Sequence, residues 1–144
     1  MSKNIYIIIG GAIIIVLGGF LFFQSNDTPE QSAPEASIPQ SSVTITYTNS
    51  GYSPKQTAVS LGGTVTFKNE SSRTMWPATT IHPTHTIYPE SGILKCGTPE
   101  EPSIFDACEG IRQGGSWSFT FQELGSWGYH DHLNISRTGK IIVK

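Results

Sequence analysis

Gly62-Gly63-Thr64-Val65-Thr66-Phe67-Lys68-Asn69 carries the pattern that decides the fold of this chain. After the glycine pair, β-branched and aromatic residues occupy every second position, so one face is apolar and the other polar, the period of a half-buried strand. Val43-Thr44-Ile45-Thr46-Tyr47 repeats the pattern, and so does Trp117-Ser118-Phe119-Thr120-Phe121 after Gly114-Gly115. Trp127 to His132 follows Leu124-Gly125-Ser126, and Lys140-Ile141-Ile142-Val143 follows Thr138-Gly139. Weaker alternation covers Gln56 to Leu61 and Thr84 to Tyr88. No window in this region combines helical spacing with caps. Short strands about every ten residues, divided by glycine turns, predict an all-β, antiparallel β-sandwich.

The rest of the chain has a different composition. Ile5 to Phe23 is a run of 19 uncharged residues, long enough at 1.5 Å per residue to cross roughly 28 Å of hydrocarbon. Lys3 precedes it, and Asp27, Glu30 and Glu35 follow. That asymmetry predicts a transmembrane anchor over 1–23 with the remainder on the extracytoplasmic side of a cell membrane. A cleaved signal peptide is the competing reading, although no A-x-A-like site follows the run. Residues 24–41 are rich in Pro, Ser and acidic side chains and poor in large apolar ones, the composition of a disordered linker. The predicted domain is 42–144, with eight Lys/Arg against eight Asp/Glu. With a net charge of −2 for the whole chain there is no basic footprint for a nucleic acid.

Cys96 and Cys108 lie in the least regular stretch, 90–113. On the extracytoplasmic side such a pair reads as a disulfide; a metal thiolate is the alternative, without a histidine nearby in sequence. All four histidines fall in two clusters, His82-Pro83-Thr84-His85 and His130-Asp131-His132. Two imidazoles at i and i+2 on a strand share a face, with Asp131 on the other. Imidazole is the common nitrogen ligand of copper and zinc. Equally, a histidine on a strand is often no more than a hydrogen-bonded side chain.

From about Val43 to Val143 the order of motifs resembles the cupredoxins: Gly62 to Asn69, then Phe119-Thr120-Phe121, then Gly125-Ser126-Trp127-Gly128-Tyr129-His130, then Gly139-Lys140-Ile141-Ile142-Val143. The resemblance implies a Greek-key sandwich. It does not extend to the blue-copper ligands, whose Cys, His and Met positions look like Asp131, Asn134 and Arg137, with the early His near Met75. Gly125 to His132 is instead similar to the Gly-Thr-x-Trp-Tyr-His-x-His segment of multicopper oxidases, and His82 to His85 to the start of their His-Pro-x-His-x-His motif. This likeness implies a metal site of His82, His85, His130 and His132, with copper first and zinc second. Tyr129, Trp76 and Tyr88 are expected beside it or in the core.

Three functions follow as expectations. The first is a membrane-anchored copper-binding protein for copper capture, delivery or redox chemistry at a His-based site, working with a copper or redox partner protein. The second is a small oxidase or nitrite-reductase-like enzyme, completed by homo-oligomerisation. The third is a metal-free interaction domain in which Arg137 and Asp131 pair as ions.

Overall fold

The computed structural model describes residues 40–144; the expected anchor and nearly all of the linker lie outside the described residues. The alternating segments form strands: β1 (Gln40–Thr48), β2 (Gly51–Ser53), β3 (Gln56–Asn69), β4 (Pro77–Thr79), β5 (Ser116–Thr120), β6 (Gly125–Asp131) and β7 (Asn134–Val143). β1 takes in Gln40 and Ser41, the last two residues of the stretch read as linker. Helical structure among the described residues is confined to single 3-10 turns at Ile93–Lys95 and Glu101–Ser103.

The glycine pair at 62–63 bends the chain rather than ending a strand, so two expected strands are one. Gln56 to Val59 pairs with β7, whereas Thr64 to Lys68 pairs with β1 and β5. β3 therefore belongs to both layers: β2-β1-β3-β5 on one side and β3-β7-β6-β4 on the other. Strands that change sheet in this way make the corners of sandwiches. Glycine is required at the bend: Gly62 has φ +77°, and a Cβ on Gly63 would lie 2.7 Å from the Ser60 carbonyl oxygen.

The pairing is mixed rather than purely antiparallel, because β1–β3 and β3–β7 run parallel. Period-two alternation reports which face a residue takes, not the direction of its neighbour. Alternate positions of the two layers, Ile45, Val65, Phe67, Phe119, Tyr129 and Ile141, meet in one buried core. Phe105, from an irregular loop, fills its centre, with ring centroids 4.9 Å from Phe121 and 5.2 Å from Phe119. Each such side chain stabilises the fold by roughly 1.5–3 kcal/mol through burial.

Thr84 to Tyr88 is not a strand. The segment turns on itself: the amide of His85 donates to the carbonyl of Ile81 at 2.6 Å, and that of Ile87 to Thr80 at 2.7 Å. His85 takes φ +56°, outside the β region. This turn carries two of the four histidines beside the end of β6.

Candidate metal centre

His130 is the penultimate residue of β6, between Ala78 of β4 and Thr138 of β7. The register slips between His130 and Asp131, and the chain then turns. Asp131 faces away from the imidazoles; its carboxylate accepts from the Tyr47 hydroxyl at 2.5 Å and from the amides of Trp76 at 2.9 Å and Leu133 at 3.2 Å. His132 lies just past the strand, its amide donating to the Trp76 carbonyl at 2.8 Å. Its ring packs on the Trp76 indole at 4.5 Å between centroids.

The turn after β4 supplies the other two. His85 is wholly buried; its Nδ1 meets the Asp106 carboxylate at 2.5 Å and its Nε2 meets His132 Nδ1 at 3.0 Å. Ring donors of His85, His130 and His132 all lie within 4.8 Å of one another. His82 stands on the exposed side, its ring centroid 4.9 Å from His132, 5.6 Å from His130 and 6.1 Å from His85. The structure thus gathers all four sequence-selected histidines at one place.

Asp106 was not legible in the sequence. It reaches the site because Phe105 to Ala107 lies along β4: the Thr79 amide donates to the Phe105 carbonyl at 2.8 Å and the Ala107 amide to Pro77 at 3.0 Å. Its carboxylate also accepts from Trp76 Nε1 at 2.7 Å and from the Cys108 amide at 2.8 Å. Burial alone would raise its pKa, but the bonds from His85, Trp76 and Cys108 outweigh it and hold the carboxyl below the ordinary value. An ionised Asp106 is an acceptor only, so His85 Nδ1 is the donor in that bond and Nε2 is the nitrogen turned towards the other imidazoles.

His130 is 2 % exposed, and neither ring nitrogen has a hydrogen-bond partner. A buried nitrogen left without a partner costs about 1–3 kcal/mol. Burial, then repulsion from His85, His82 and His132, lowers its pKa to about 4. His132 is lowered for the same reasons. These rings are therefore neutral near pH 7, the form that binds a metal. Two nitrogens bound to one ion at about 2.0–2.1 Å each can stand no more than about 4 Å apart; His85 Nε2 and His132 Nδ1 are 3.0 Å apart, and the donors of His85, His130 and His132 together lie within 4.8 Å. With a small closing of the trio, the residues fit a nitrogen-ligated metal ion.

No protein-family model matches the sequence, and no curated protein is significantly similar to it. Solved structures are similar in fold. A purple cupredoxin from Nitrosopumilus maritimus aligns at a TM-score of 0.54 and 19 % identity, over 71 % of this chain and 99 % of its own. A reduced Cu(I) form of an amicyanin variant aligns at 0.52 and 18 %, over 76 % of this chain and 88 % of that one. An oxidised amicyanin variant gives 0.53 and 17 %, with the same coverage. The domain has the cupredoxin fold.

The positions matched to the blue-copper ligands of cupredoxins hold no such set. Asp131 is engaged as described, and Met75 is fully buried in the apolar core. Asn134 accepts from the Ser136 hydroxyl, and Arg137 donates to the carbonyls of Ser50 and Asn49. The Arg137–Asp131 ion pair expected for a metal-free domain does not form; the guanidinium is taken by backbone carbonyls and the carboxylate by Tyr47, Trp76 and Leu133. Both cysteines are in the Cys96–Cys108 disulfide, which leaves no thiolate among the described residues of this cupredoxin-like domain. Trp76 stands beside the histidines, whereas Tyr88 and Tyr129 belong to the core.

Proposed function

We propose that this domain binds one copper ion through His85, His130 and His132, with His82 as a fourth ligand. Its role on this reading is copper capture, delivery or one-electron chemistry on the extracytoplasmic side of a membrane, with 1–23 as the anchor. The observation that carries the reading is the convergence of four imidazoles around His130, whose buried nitrogens find no partner in the protein. Copper proteins among the fold neighbours support copper over zinc; an all-imidazole ligand set suits either metal.

Bound copper would supply a Cu(II)/Cu(I) couple. The chain's own residues prepare the place for it. Asp106 orients His85, the Trp76 indole backs His132, and the lowered proton affinity of His130 and His132 keeps both imidazoles in the ligating form. Without a thiolate or thioether donor the centre lacks the ligands of a blue-copper site.

Metal analysis of the purified full chain is expected to find about one tightly held copper per chain. That metal is expected to be lost in His130→Ala/His132→Ala. Copper retained at full stoichiometry by the double variant would place the metal elsewhere.

A further inference from the structure

The four histidines are not equivalent. His85 is fixed by Asp106 and wholly buried, His130 is buried between β4 and β7, and His132 is held by its backbone bond to Trp76 and by the indole beneath it. His82 has none of these restraints. It is exposed, no hydrogen bond reaches its ring among the described residues, and its exposed neighbours Ile81 and Pro83 offer it no polar side chain. It is also outside the trio whose donors lie within 4.8 Å of one another.

Loss of rotamer freedom opposes the ordering of an exposed side chain, whereas His85 and His132 are already ordered by their surroundings. A ligand bond to His82 therefore begins from a less favourable balance than the other three. Three fixed imidazoles with one position open to solvent is also the arrangement in which a metal exchanges its fourth ligand.

We infer that His82 is an exchangeable ligand: it closes a three-imidazole site from the solvent side and gives way there to a small external donor, an anion or a neutral nitrogen or sulfur base. Copper would be received and released through the same side. This rests on the metal-binding reading proposed above and adds to it a division of labour among the histidines.

Azide, a small anion with a distinct charge-transfer absorption on Cu(II), is the probe. The full chain and its His82→Ala variant are loaded with Cu(II) and titrated with azide, followed by absorption and EPR. Release of copper from both to EDTA is timed in parallel, and the copper content of His85→Ala is measured as the comparison. Both the parent chain and His82→Ala are expected to hold copper, and His85→Ala to lose it. Azide is expected to bind both loaded proteins, with an affinity about tenfold higher once His82 no longer competes for the position. EDTA is expected to strip His82→Ala faster. Equal azide affinity and equal release rates in the two proteins would overturn the inference, as would azide failing to bind either. Complete loss of copper from His82→Ala would also overturn it, since His82 would then be integral to the site. Failure of the parent chain to hold copper would instead overturn the underlying metal-binding reading.

Discussion

Asp106 decides how His85 presents itself. Its two oxygens accept three N–H bonds, from His85, Trp76 and Cys108, so a carboxylate satisfies every donor. Asp106→Asn preserves the shape but turns an NH2 group towards one of those donors. Copper affinity, measured by competition with a chromogenic chelator, is expected to fall roughly 10–100-fold in this variant, the usual effect of losing a partner behind a ligand. An affinity within twofold of the parent would remove Asp106 from the site. His130 makes the second residue-scale prediction. Its folded pKa of about 4 lies below the 6.5 of an unperturbed imidazole, so between those values the unfolded chain binds more protons than the folded one. The stability contributed by the neutral ring is complete above about pH 6.5 and is lost as pH falls towards 4, by up to about 3 kcal/mol. His132 acts in the same direction. Melting temperatures of the metal-free chain are expected to drop across that window in the parent and to drop less in His130→Gln; parallel profiles would contradict the assignment.

Among the elements, the Cys96–Cys108 disulfide closes the loop that contains Asp106, and the Cys108 amide itself donates to that carboxylate. Closing a loop of 12 residues stabilises a chain by about 3 kcal/mol on the entropy model. Cys96→Ser/Cys108→Ser is therefore expected to lower denaturation stability by up to that amount and to weaken copper binding, because the freed loop no longer fixes Asp106. Stability lost with copper affinity unchanged would separate the disulfide-closed loop from the site. The elements also explain what could be read in advance. Long alternating strands announce themselves by buried period-two positions such as Val65 and Phe67. β2 and β4, at three residues each, are too short to show a period. Thr84 to Tyr88 imitated a strand through its β-branched residues, but its backbone amides are spent on a turn and His85 has left the β region. The parallel pairings of β3 were not legible either, since direction is set by which strands the chain returns to, not by their side chains.

At the scale of the molecule, the four histidines were visible as two sequence clusters, and the disulfide as a pair of cysteines in one irregular loop. Their meeting depends on the sandwich: β4 and β6 pair through Ala78 and His130, which sets the turn carrying His82 and His85 against the end of β6. Asp106 could not be found the same way, because no motif marks it and only the pairing of its loop with β4 brings it in. The fold also accounts for what the centre lacks. Asp131 and Met75, at two of the blue-copper positions, are committed to a hydrogen-bond cluster and to the core, so among the described residues the donors that converge at the centre are imidazole nitrogens. EPR of the full chain loaded with one equivalent of Cu(II) tests the all-imidazole copper centre directly. The expected signal carries hyperfine splitting from several nitrogens, is changed in His132→Ala and is absent from the protein in His130→Ala/His132→Ala. A Cu(II) spectrum without nitrogen splitting, or one identical in parent and double variant, would contradict it.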